Sequence, residues 1–211
     1  MTKKKIFTSL KWLFWLGCVA LVGYVSMRLT IYMIFAGALE RTYTKEDLRN
    51  NYDAHGAQIE ELKHYFNSIV PAGKQVQIEF ENPGRLAMLK ISPTDTTQHS
   101  PGDSFVGWQL RLDSRKVDSL LPTLGWTRDT LTSIRTKLNA ASCVRITNGE
   151  PGVIGFKRFG AGMFYYTVFE HPIPDSMQPK YNNGCNAILY SNRVVLGFTG
   201  DPIGKKCFPE Y

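Results

Sequence analysis

Residues Gln75–Ile91 read QVQIEFENPGRLAMLKI, two runs of strand-forming residues on either side of Asn82-Pro83-Gly84. In the first run Val76, Ile78 and Phe80 alternate with polar neighbours, the period of a strand with one buried face. Asn-Pro-Gly supplies the preset φ and the glycine that a tight chain reversal needs. The stretch is a hairpin candidate, so the elements around it are expected to build an antiparallel sheet rather than regular β-α crossovers.

Upstream, Thr44-x-x-Asp47 has the form of a capping box. From it Leu48, Tyr52, His55, Ile59, Leu62, Phe66 and Ile69 recur at spacings of three and four, one face of a helix that runs to about Val70 and stops at Pro71. The stripe is expected to pack on the domain's own sheet. A short coiled coil has the same period, but His55 in the stripe and Gly56 beside it count against one. Without a break near Arg41–Tyr43, this helix would continue the preceding membrane segment as a single stalk.

Downstream, Ser92–Asp103 has no apolar period and is a loop, and Phe105–Leu112 returns to strand character. A short helix is expected at Arg115–Leu121. Another follows Thr127 as N-cap, with Leu131, Ile134, Leu138 and Ala141 on one face. Strands are expected at Cys143–Thr147, Val153–Phe159, Gly162–Phe169, Cys185–Tyr190 and Val194–Thr199, the last two joined by a reversal at Ser191 and Asn192. The fold class is α+β: an N-terminal transmembrane helix and an amphipathic stalk helix, then one domain with an antiparallel sheet and one or two packed helices. The divisions are 1–39, 40–70 and 71–211.

The first division carries the charge asymmetry. Of the 25 basic residues in this 211-residue chain, Lys3, Lys4, Lys5, Lys11 and Arg28 lie in the first 39, where there is no Asp or Glu. The remaining 172 residues, enough for one domain, hold 20 basic against 18 acidic side chains, a net of +2. That balance gives no concentrated field for a phosphate backbone, so no nucleic-acid partner is expected.

Trp12–Leu39 is apolar except at Arg28 and is long enough for a bilayer, which needs about 20 such residues. A charge at the bilayer centre costs about 2.5–3.5 kcal/mol on insertion scales. A span from about Phe7 to Met27 avoids that cost, placing Lys11 and Trp12 at one interface and Arg28 at the other. A longer tilted span over the whole run is the alternative. Cleavage at the small-x-small site Ala36–Ala38 is a third reading, weakened by an apolar segment far longer than an ordinary signal h-region. The amino-terminal lysines favour a cytoplasmic N-terminus by a narrow margin, which places the main domain in the periplasm or outside the cell.

An oxidising compartment favours disulfides. Among Cys143, Cys185 and Cys207 the expected pair is Cys185–Cys207, because the Gly/Pro-containing chain after Thr199 has a route back to the start of the last hairpin. No Cys-x-x-Cys occurs, and His55, His64, His99 and His171 make no pair at metal-ligand spacing. Neither a metal nor a cofactor is expected. Gly200–Lys206 lacks the spacing, the hydroxyl and the following helix of a phosphate loop.

Phe156–Asp175, FKRFGAGMFYYTVFEHPIPD, is the densest aromatic and polar stretch. Tyr165, Tyr166, Glu170 and His171 are its candidate recognition surface, with Asp175 nearby. If His171 met a carboxylate, the pair could transfer protons. The bland alternative places "GAG" at a hairpin turn and uses Phe159, Phe164, Tyr166 and Val168 as core. The expected function is that of a single-pass, envelope-facing, non-catalytic domain whose partners are the lipid bilayer and another membrane or extracytoplasmic protein. An envelope hydrolase using His171 and a pilus-like assembling subunit are the alternatives.

Overall fold

The computed structural model describes residues 3–35, 43–94, 104–159, 161–200 and 206–209. The cleavage motif Ala36–Ala38, most of the Ser92–Asp103 loop, residues 201–205 and the side chain of Lys11 lie outside what is described.

Helix α1, Lys3–Phe35, contains an 18-residue stretch, Trp15–Tyr32, that is long and apolar enough to cross a membrane, and 0 % of it is buried by the rest of the chain. By length and composition it is suited to an anchor or a signal sequence. Arg28 lies four residues before the end of this stretch. Its Nε donates to Tyr24 Oη at 3.0 Å and its guanidinium carbon lies 5.4 Å from the Tyr24 ring centroid. Helical side chains lean toward the N-terminus, and Arg28 reaches back along the helix to Tyr24.

Helix α2, Lys45–Ile69, starts at the predicted capping box: Thr44 Oγ1 accepts from the Asp47 amide at 3.1 Å, and the Asp47 carboxylate accepts from the Thr44 amide at 2.9 Å. The extended backbone of Thr44 (φ −117°, ψ 170°) ends the possibility of one continuous stalk, because a helix cannot run through it. A second interruption sits at His55 (φ −129°, ψ 17°), in the stripe residue that weakened the coiled-coil idea.

The sheet has eight strands: β1 Lys74–Asn82, β2 Arg85–Pro93, β3 Phe105–Arg111, β4 Arg145–Thr147, β5 Gly152–Phe159, β6 Gly162–Val168, β7 Ala187–Ser191 and β8 Val194–Thr199. Their order is β3-β2-β1-β4-β5-β6-β8-β7, and every neighbouring pair is antiparallel. Two meanders, β1-β2-β3 and β4-β5-β6, meet at the centre, where β1 and β4 share only the pairs Gln77–Thr147, Ile78–Ile146 and Glu79–Arg145. Strand β4 is shorter than the expected Cys143–Thr147 because the exit from the preceding helix uses its first residues. Ser142 takes a positive φ of 53°, and the Cys143 amide bonds back to Leu138 O at 2.8 Å. Strand β7 starts after Cys185 for a similar reason: Asn183 Oδ1 accepts from the amides of Cys185, Asn186 and Ala187. The final reversal uses Asn192 and Arg193, one residue later than expected, since Ser191 pairs with Val194.

Helices α3, Arg115–Leu120, and α4, Arg128–Ala140, are the packed helices expected beyond the stalk helix, and they join α2 over the sheet. Leu48, Ile59, Leu62 and Phe66 of α2, Val117 of α3 and Ile134 and Leu138 of α4 share one core with Val76, Ile78, Leu86, Ile154, Phe164, Leu196 and Phe198. Each such buried side chain contributes about 1.5–3 kcal/mol relative to exposure. Although α2 precedes the first meander in the chain, it packs against β5, β6 and β8 of the other half.

Cys185 and Cys207 form the expected disulfide across a sequence separation of 22 with Cα atoms 4.4 Å apart. It seats the C-terminal segment: the Phe208 amide donates to Cys185 O at 2.7 Å, and the Phe208 ring packs on Phe164 and Phe198. Cys143 is a buried free thiol, and burial pushes its pKa up to about 12.

Candidate functional site

The four residues of the candidate recognition surface are close in sequence, but strand geometry separates them. Successive side chains of a strand point to opposite faces. Tyr166 therefore turns into the core with Phe164 and Val168, at 0 % exposure, and forms no surface. Its hydroxyl donates to Leu48 O at 2.8 Å and accepts from Asn51 Nδ2 at 3.0 Å, and burial drives its pKa upward. Tyr165 lies on the other face, over Gly197 of β8. A Cβ there would come within 2.3 Å of the Tyr165 ring, so the ring occupies the space that glycine leaves. Burial raises the pKa of Tyr165 too.

Glu170 and His171 follow the end of β6. Both are exposed. Glu170 Oε2 accepts from Lys63 Nζ at 2.7 Å, and this hydrogen bond holds the carboxyl below its ordinary range, with smaller contributions from His64 and His171. Lys63 was not among the candidates, yet its side chain is only 4 % exposed and is clamped by a second carboxylate, Glu150 Oε2, also at 2.7 Å. Its sequence position carried a signal: Lys63 stands four residues after Ile59 and three before Phe66, both buried, so it sits at the margin of the core stripe. The stem fits because residue 152 is glycine, where a Cβ would lie 2.9 Å from Lys63 Cγ. Beside this clamp, Lys63, His64, Glu170 and Arg193 line a concavity of about 340 Å³. An ammonium engaged by two carboxylates is a positioned cation, not a free nucleophile. The cluster ties α2 to the turn before β5 and to the end of β6.

A second charged group lies on the face opposite the helices. Glu79 is 2 % exposed and accepts from Arg145 Nε at 2.9 Å and from Arg158 Nη2 at 2.7 Å, with a further bond from Arg158 Nε. The strand register places this group in a row running Trp108, Met88, Glu79, Arg145, Gly155, Tyr165, Gly197 and Ala187 across the sheet. Trp108 on edge strand β3 is 61 % exposed, beside exposed Val106. Five strand spacings of about 4.8 Å put it about 24 Å from Tyr165. Of the sequence candidates, Tyr165 alone shares this face, and Trp108 is the aromatic that the sequence left unremarked inside an ordinary strand pattern.

Among the described residues, no group of three or more His, Cys, Asp or Glu side chains could hold a metal ion. No protein-family model, curated protein sequence or solved structure matches the chain.

Proposed function

We propose that the chain is a single-pass, membrane-anchored envelope protein whose domain lies outside the cytosol and binds another membrane or extracytoplasmic protein without covalent chemistry. The observation that carries the proposal is an apolar helix, Trp15–Tyr32, left wholly uncovered by the domain to which it is joined. A helix of this kind requires lipid or protein around it. The Cys185–Cys207 disulfide favours an oxidising compartment for the domain. The sheet face opposite α2 and α4, with Trp108, Val106 and Tyr165, supplies aromatic and aliphatic anchors of the type enriched at the centres of protein interfaces.

A hydrolase gains no support from His171, which is exposed and whose neighbouring carboxylate, Glu170, is engaged by Lys63. A pilus-like subunit needs a helix that continues from the membrane into the domain, and the cap at Thr44 interrupts it. The test is protease accessibility in intact cells whose outer barrier has been opened. The domain is expected to be digested while Lys3–Lys11 stays protected. A domain digested only after the inner membrane is lysed would overturn the topology. In-cell crosslinking from position 106 tests the interface: capture of the same protein in replicate cells, lost when Trp108→Ala is added, is the expected result.

A further inference from the structure

Arg28 has no counter-charge in its own helix. The first 39 residues contain no Asp or Glu, and the partner its Nε finds, the Tyr24 hydroxyl, is neutral. A guanidinium has five N–H donors in a planar fork that matches a carboxylate, and one bond to a phenol leaves most of that capacity unused. Ionisable side chains within membrane helices turn toward protein or water and pair there.

The residues in line with Arg28 form a packing seam. Gly17, Leu21, Tyr24, Arg28 and Ile31 are spaced four, three, four and three apart, the repeat by which two helices interlock. Gly17, like Gly23 outside the seam, is unexplained by this chain's own packing: a Cβ added there would meet nothing within 4 Å. Small residues in membrane helices let a second backbone approach closely. A second copy of the same helix is a poor occupant, since a parallel pair along this seam would set Arg28 against Arg28.

We propose that this seam docks a transmembrane helix of a different protein, which carries an Asp or Glu at the depth of Arg28 and completes an intramembrane ion pair. The inference rests on the anchor reading above and names the chemistry of the partner. Tyr24 acts as a positioning residue, holding the guanidinium along the seam through its hydroxyl and ring face.

The full chain, carrying a fluorescent donor at its N-terminus, is reconstituted in phosphatidylcholine vesicles at pH 7 and washed with alkaline carbonate. Energy transfer is then measured to acceptor-labelled model helices of leucine and alanine that carry one Glu scanned along their length, or Gln at the same positions. The Glu helix is expected to associate at least about tenfold more tightly than its Gln counterpart at one depth, a difference of about 1.4 kcal/mol. Arg28→Leu should abolish the preference, and Arg28→Lys should keep part of it. Equal association of Glu and Gln helices, a preference that survives Arg28→Leu, or self-association of the chain stronger than its association with the Glu helix would overturn the pairing. Release of the chain by carbonate would refute the anchor reading and the pairing together, whereas a retained chain indifferent to Glu refutes the pairing alone.

Discussion

Glu79→Leu tests whether the charged group on the open sheet face holds the two meanders together. Glu79 is 2 % exposed and accepts three charge-assisted hydrogen bonds, one from Arg145 and two from Arg158. At an effective dielectric of about 20, each charge pair at about 4 Å attracts by about 4 kcal/mol before desolvation is subtracted. Leucine removes that attraction and leaves two guanidinium groups facing each other. Arg145, 19 % exposed, cannot rehydrate in place, whereas Arg158, 34 % exposed, can turn partly to water. Breaking a buried ion pair costs about 3–5 kcal/mol, and the partial escape of Arg158 puts the expected loss near 3 kcal/mol. Urea unfolding of the full chain in mild detergent, followed by near-UV circular dichroism, measures it. Replacing all three residues, Glu79→Leu with Arg145→Met and Arg158→Met, is expected to recover most of the loss, since the desolvation cost of all three ions disappears with them. A single-variant loss below about 1 kcal/mol, or a triple variant as unstable as the single one, would refute the reasoning.

Tyr166→Phe deletes a buried hydroxyl with two partners, Leu48 O and Asn51 Nδ2, and should cost about 1 kcal/mol in the same urea assay without altering the fold. Cys185→Ser with Cys207→Ser should lower stability by about 3 kcal/mol through the freed loop, and nonreducing mass spectrometry of the natural chain should find these two cysteines joined and Cys143 free. Cys143 also sets an alkaline limb. Below pH of about 8.5 both folded and unfolded states keep the thiol proton. From there to about 12 only the fold keeps it, so stability falls by about 1.4 kcal/mol per pH unit, and Cys143→Ala should flatten the slope between about pH 9 and 10. Lys63→Met releases Glu170, whose carboxyl is held low by that lysine. The stability that the natural chain keeps above the ordinary carboxylate range and loses as pH falls through the folded-state value should be diminished in the variant, read as a weaker acid dependence of the urea midpoint.

Strands and helices were legible wherever a period was long enough to count. The alternation of Val76, Ile78 and Phe80 found β1, the three-and-four stripe from Leu48 to Ile69 found α2, and Thr44 marked its start. Cys185 and Cys207 were legible because two bounded segments had to meet. What failed was local competition and long-range assembly. Ser142 and Asn183 divert backbone donors that a strand pattern assigns to the ladder, which shortened β4 and delayed β7. Tyr165 and Tyr166 were grouped as one surface because they are adjacent, although adjacency in a strand sends side chains to opposite faces. Lys63 stood at the margin of the core stripe, but its ion pairs and those of Glu79 were not legible, since the partners lie 66 to 107 residues away. Nor does any short-range pattern state that α2 would cross to the far meander.

That crossing governs the order of events during synthesis. The helix with the apolar stripe is made before any strand, yet its seats are on α4, β5, β6 and β8, and Asn51 waits 115 residues for Tyr166. A nascent chain therefore completes the cover of this helix only when the late strands exist, and until then part of the stripe of Leu48, Ile59, Leu62 and Phe66 stays bare. Truncation anywhere before β8 should yield aggregates instead of a smaller folded unit, and a holdase that grips amphipathic helices is the helper such a biosynthesis calls for.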